Sequence, residues 1–174
     1  MDRKLAWGLI KDWGVALAIG VVVLFAWSWF QPRPVSKGQA PPIELSDLEG
    51  NTYSLADDAS ELVVVNFWAT WCAPCRREIP DFTAFARDNP DVRVLGVSVD
   101  DMEPRALAAA SKRLGIRYDV VHDPRQQTAR RWGVNVYPTT FVLDAERHVV
   151  AMRVGTVDRA RLDAMVDAAR RHKH

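Results

Sequence analysis

From residue 61 onward, short apolar runs alternate with stretches in which apolar positions recur every three or four residues. Glu61–Trp68, ELVVVNFW, is a β-branched run of the kind that fills a central strand buried on both faces. Asp91–Val99, DVRVLGVSV, is a second. Between them, a segment that opens at Pro74 and runs to Asn89 places Cys75, Ile79, Phe82 and Ala86 at the i, i+4, i+7, i+11 positions of one helical face. Pro104–Leu114, PRALAAASKRL, opens on proline and continues as a helix. A short strand near Asp119–Val121, a helix near Gln126–Trp132 and strands at Thr139–Leu143 and His148–Val154 follow. Asp158–Arg171 closes the pattern as an amphipathic helix with Leu162, Met165, Val166 and Ala169 on one stripe. Upstream, Ile43–Leu55, IELSDLEGNTYSL, has two alternating segments around Glu49-Gly50-Asn51 and predicts a hairpin. Strands interleaved with helices predict an α/β fold with a mixed sheet.

The N-terminal pattern is different. Trp13–Phe30, WGVALAIGVVVLFAWSWF, runs eighteen residues without a charge, near the short end of what spans a bilayer as a helix. Trp7, Trp13, Trp27 and Trp29 sit toward the two ends of the run, where indoles favour the membrane interface. Residues 13–30 therefore read as a transmembrane anchor in contact with the lipid bilayer. Arg3, Lys4, Lys11 and the terminal amine outweigh Arg33 and Lys37, which places residues 1–12 in the cytoplasm and the rest of the chain outside it. The rival reading is a cleaved signal peptide, for which Ala26-Trp27-Ser28 is a loose cleavage site; the bulky Trp29 and Phe30 and the length of the apolar run favour the anchor. Gln31–Pro42, QPRPVSKGQAPP, has the composition of an extended linker, leaving 43–174 as the domain.

Composition narrows the function. A chain of 174 residues, 48% hydrophobic, builds one core rather than two. Lys plus Arg total 23 against 22 Asp plus Glu, and dropping the first thirty residues removes three basic and two acidic groups, leaving 20 of each sign. No basic field for nucleic acid exists.

Both cysteines, Cys72 and Cys75, fall in NFWATWCAPCRREIP, at a strand–helix junction. Cys75 points inward with Ile79 and Phe82. Cys72 precedes the first turn, where free N–H groups and the helix dipole stabilise an anion, and Arg76 and Arg77 add positive charge. Such surroundings activate a thiol, so Cys72 reads as the exposed nucleophile and Cys75 as the thiol that resolves the mixed disulfide. Structural zinc needs four ligands, and neither a second cysteine pair nor a nearby histidine exists; His122, His148, His172 and His174 are scattered, the last two in a solvated tail. A structural disulfide closing so short a loop restricts the unfolded chain very little. A redox pair without metal or cofactor remains.

The run VVVNFWATWCAPCRREIP followed by VYPTTFVLD closely resembles the thioredoxin superfamily, specifically the membrane-anchored TlpA-like and ResA-like thiol–disulfide oxidoreductases. The resemblance extends from about Pro41 to the final helix. It implies a thioredoxin fold with an N-terminal β-hairpin and an inserted βα element around GVSVDDMEPRALAAASKRLGIRYDVVHDP, preceded by the transmembrane helix. It also implies a cis Tyr137–Pro138 peptide facing the cysteines, with Trp71, Tyr137, Pro138 and Thr139 contacting substrate. The implied activity is that of a reductase on the periplasmic side of a bacterial inner membrane. It would act on apocytochrome c or other exported cysteine proteins and be recharged by a membrane electron-donor protein. Where thioredoxin has a buried Asp, this chain has Asn66, which cannot act as a base. Glu78 is the replacement the resemblance offers, and helical geometry places it between Phe82 and Phe85 at the edge of the apolar face. The other reading of Glu78 is an exposed side chain that complements the helix dipole. Two further activities compete: a copper-handling module using both thiolates and a histidine such as His148, and a thiol peroxidase, since the hairpin also resembles peroxiredoxins.

Overall fold

The computed structural model describes residues 38–171, together with 17, 19–23 and 25. Residues 1–12, most of the predicted anchor 13–30, the first part of the predicted linker (31–37), His172 and His174 lie outside the described residues. Residues 17, 19–23 and 25 are helical, with Leu17, Ile19, Val21, Val22, Val23 and Phe25 all exposed. Among the described residues no helix is long and apolar enough to cross a membrane.

The chain forms β1 (Gly38–Gln39), β2 (Glu44–Asp47), β3 (Thr52–Ser54), β4 (Leu62–Trp68), α1 (Ala73–Asp88), β5 (Val92–Ser98), α2 (Pro104–Arg113), β6 (Asp119–His122), α3 (Gln127–Arg131), β7 (Thr139–Leu143), β8 (His148–Val154) and α4 (Arg159–Arg171). All eight strands join one mixed sheet in the order β1-β8-β7-β4-β5-β6-β2-β3. β4, β5 and β6 run parallel, connected through α1 and α2, while β7 and β8 lie antiparallel on the other side of β4. This is the thioredoxin-like α/β arrangement the sequence implies, and α2 and β6 fall in the stretch where the inserted unit is expected.

The predicted hairpin is β2–β3, and it extends the sheet beyond β6 through Ser46↔His122 and Asp47↔Val121. Its turn is held by Asp47, whose Oδ1 accepts from the backbone N–H groups of Glu49 (2.9 Å) and Asn51 (2.8 Å) while Gly50 takes φ +93°. One strand falls where a linker is predicted. Gly38–Gln39 pairs with Val149 and His148, and Ala40 N–H donates to Arg147 O at 2.8 Å, so the sheet begins before residue 43.

Strand alternation sorts β4 between two cores. Val63, Val65 and Phe67 pack with Leu107 of α2 and with Ala129 and Trp132 at α3; Leu62 and Val64 pack with Phe82 and Phe85 of α1 and Leu162, Met165 and Val166 of α4. Each such buried side chain contributes about 1.5–3 kcal/mol. Trp132 meets Phe141 edge-on at 4.9 Å between centroids, and Phe67 meets Trp132 at 5.4 Å. The same alternation puts Asn66 on the Val64 side, under α1.

Gly96 of β5 pairs with Asn66, and a Cβ there would lie 2.9 Å from Trp68 Nε1 and 3.1 Å from Tyr118 Cε2. Gly96→Ala is therefore expected to overpack the sheet under α1 and cost about 1–3 kcal/mol, read as a lowered thermal unfolding midpoint. An unchanged midpoint would mean that both rings move aside freely.

Candidate functional site

Beyond Trp68 the chain turns through Ala69, Thr70 and Trp71 and enters α1 with Cys72 as N-cap, its backbone extended at φ −80°, ψ 101°. Pro74 suits the first helical turn, where a backbone N–H would have no partner. The Cys75 N–H donates to Cys72 Sγ at 3.2 Å. Cys72 and Cys75 form a disulfide, S–S 2.02 Å. Cys72 is 5% exposed and Cys75 1%. Both cysteines are buried in one core cluster, so Cys72 is not the exposed thiol that its place before the helix predicts. Arg76 and Arg77 are exposed, and Arg76 Nη1 donates to Thr70 O at 3.0 Å.

The Tyr137–Pro138 peptide is cis. Trp71, next to Cys72 and 61% exposed, meets the Tyr137 ring edge-to-face with centroids 6.0 Å apart. These two residues, far apart in sequence, thus meet next to Cys72 through the Trp71 ring. Pro138 and Thr139 are buried; the Thr139 hydroxyl donates to Val136 O at 2.7 Å, and Pro138 O accepts from Gly155 N–H at 2.8 Å. Val136, which sequence reasoning passes over, is exposed beside them.

Glu78 lies one turn beyond Cys75 and is 4% exposed, which overturns the dipole-complementing surface reading. Its Oε1 accepts from Asn66 Nδ2 at 2.9 Å and its Oε2 from the Val157 backbone N–H at 2.9 Å. Asn66 Nδ2 also donates to Thr140 Oγ1 at 3.1 Å. Burial pushes the Glu78 carboxyl up to about 7, the two hydrogen bonds pull it back, and the charge of Asp81 adds to the rise. A carboxyl poised near neutrality can both take and return a proton. The bond from Val157 is a backbone contact brought in by the approach to α4, and no side-chain pattern announces it.

Among the described residues no group of three His, Cys, Asp or Glu could hold a metal ion. His148 begins β8, whose other end, Val154, pairs with Thr139. It is therefore a strand's length from the cysteines, and its Nδ1 faces Asp144 Oδ2 at 3.6 Å.

The AhpC/TSA family model matches residues 37–152, which include the hairpin, both cysteines and the cis-proline loop. The chain belongs to the AhpC/TSA family. Within it, the chain is 37% identical over 130 residues to the thiol:disulfide interchange protein DsbE of Allochromatium vinosum, covering 73% of this chain and 71% of that protein. It is 36% identical over 121 residues to the thiol-disulfide oxidoreductase ResA of Geobacillus thermodenitrificans, covering 68% of each. Among solved structures, a DsbF homologue from Corynebacterium diphtheriae superposes with TM-score 0.69 at 31% identity, covering 76% of this chain and 87% of that one. A secreted thiol-disulfide isomerase from Corynebacterium glutamicum does so with TM-score 0.69 at 29% identity, covering 76% and 86%. With its cysteine pair joined at the start of α1, this AhpC/TSA family member is a thiol–disulfide oxidoreductase.

Proposed function

We propose that the chain reduces disulfides in exported proteins while held at the outer face of a bacterial inner membrane by residues 13–30. The observation that carries the chemistry is the arrangement of Cys72 at the helix start, Cys75 behind it and the buried Glu78 one turn on. The Cys72 thiolate attacks a substrate disulfide and releases one substrate thiolate, leaving a mixed disulfide. Cys75, its proton taken by Glu78, then attacks Cys72 Sγ, so that the second substrate thiolate leaves and the Cys72–Cys75 disulfide forms. Two electrons pass to the substrate, and a dithiol of a membrane electron-donor protein restores the pair. Trp71, Tyr137 and the backbone around Pro138 and Thr139 form the substrate-contact rim. The resemblance of VVVNFWATWCAPCRREIP and VYPTTFVLD to the TlpA-like and ResA-like oxidoreductases favours exported cysteine proteins, such as apocytochrome c, as substrates. The exposed apolar side chains of Leu17, Ile19, Val21, Val22, Val23 and Phe25 support the anchor.

Two measurements test this reading. The dithiol form should reduce a model protein disulfide stoichiometrically, as followed by thiol titration. Reporter fusions made after residue 40 should be active only outside the cytoplasm. A cytoplasmic signal would overturn both the orientation and the substrate class.

A further inference from the structure

Thr70, two residues before Cys72, has every polar group engaged. Its N–H donates to both carboxylate oxygens of Asp100, at 3.1 Å to Oδ1 and 2.9 Å to Oδ2, and its hydroxyl donates to Oδ1 at 2.6 Å. Its carbonyl accepts from Arg76 at 3.0 Å. Asp100 lies just past the end of β5 and is 1% exposed; Ser98 Oγ donates to its Oδ2 at 2.8 Å. Its own carbonyl accepts from Nε2 of His122, on β6, at 2.8 Å. Val99 N–H adds a bond to Trp68 O at 3.0 Å. A buried carboxylate with several donors thus grips the loop at the residue that decides where Trp71 and Cys72 go. Charge-assisted bonds of this kind are about twice as strong as neutral ones.

We propose that Asp100 and Thr70 are positioning residues for Cys72, holding it at the N-cap of α1 so that its sulfur stays within reach of the Cys75 N–H. The clamp acts through geometry. With Thr70 fixed at both faces of its peptide unit, the chain enters α1 from one direction, and the Cys72 side chain folds back over the first turn as a capping group does. Without it, the loop keeps the buried Ala69, whose carbonyl accepts from Cys72 N–H at 3.2 Å, but loses its charged anchor, and the thiolate drifts from the N–H groups that stabilise it. Of the charged and titratable side chains on the elements that meet here, α1 carries Arg76, Arg77, Glu78, Asp81, Arg87 and Asp88, β5 carries Arg93 with Asp100 and Asp101 after it, and β6 carries Asp119 and His122. The inference rests on Cys72 being the attacking thiol.

The test is the pH profile of Cys72 alkylation in the reduced full-length chain, read residue by residue by mass analysis. Thr70→Val removes the hydroxyl donor without changing charge. It should raise the midpoint by up to one unit, slowing alkylation below the midpoint by up to about tenfold while the rate at high pH stays that of the wild type. Thr70→Ser should restore the wild-type midpoint. Asp100→Asn, which leaves one acceptor for several donors, should shift the profile the same way; should it fail to fold, Thr70→Val carries the test alone. Superimposed profiles for Thr70→Val and wild type overturn the proposal, as does a change by the same factor at every pH, which marks altered access to the thiol or a weakened fold rather than a displaced thiolate. If Cys75 of the wild type alkylates first, the assignment of Cys72 as attacking thiol fails instead, a different result from superimposed profiles.

Discussion

Cys75→Ser should accumulate a covalent adduct with a disulfide-bearing substrate, and Cys72→Ser should form none. The two thiols are separated by one helical turn, but the fold gives them different surroundings. Cys72 caps α1, with the Cys75 N–H directed at its sulfur, and it sits beside the exposed Trp71. Cys75 is 1% exposed and faces the core with Ile79. With Cys72 as the attacking thiol of the proposed cycle, a partner's disulfide is expected to join Cys72 and to be released by Cys75. Removing the nucleophile of an enzyme lowers turnover by on the order of 10⁶. Cys72→Ser is thus expected to fall to the assay floor, since a hydroxyl does not replace a thiolate toward sulfur. Non-reducing electrophoresis with intact mass measurement distinguishes the variants. An adduct on Cys72→Ser in place of Cys75→Ser would reverse the roles.

Glu78→Gln is expected to slow the second half of the reaction by about 10²- to 10⁴-fold at neutral pH, the range of a positioned general base. Attack by Cys72 on substrate would be little changed, so the mixed disulfide would build up in single-turnover experiments. The wild-type rate of resolution should rise as pH passes through about 7, where Glu78 becomes able to accept the Cys75 proton, and this step should vanish in the variant. The amide keeps the shape of the side chain and one acceptor oxygen, so Val157 N–H can remain satisfied. A wild-type rate of resolution across pH 6 to 9 would remove Glu78 from the mechanism.

Much of this was legible in the sequence because the signals were local. The apolar run of β4, the proline-led helices α1 and α2 and the Gly50 turn each carry their own cause within a few residues. The cysteine pair announced itself by its place before Pro74. What escaped was fixed by partners distant in the chain. β1 lies in a segment rich in proline and glycine, and only β8 makes it a strand. A helical wheel set Glu78 at the edge of the apolar face; Asn66 from β4 and the Val157 N–H before α4 draw it inside. The family resemblance makes Thr139 a substrate contact through its loop, whereas its hydroxyl turns inward to Val136. Asp100 reads in sequence as one of two acids after a strand. Its position at the carboxyl end of a central parallel strand, where α/β proteins gather their functional groups, was the available cue.

The buried Glu78 carboxyl also links the folding equilibrium to proton concentration. Its folded value, about 7, stands above the 4.5 of the unfolded chain, so the native state binds more protons between those two values. Stability from this group is fully present below pH 4.5 and is lost as pH rises through 7, reaching about 3 kcal/mol when the carboxylate is fully charged. Domains of this size hold roughly 5–15 kcal/mol in all. In a neutral medium the protein thus gives up a sizeable fraction of its margin against unfolding to keep one proton acceptor out of water, and mild acid, which silences that acceptor, returns it.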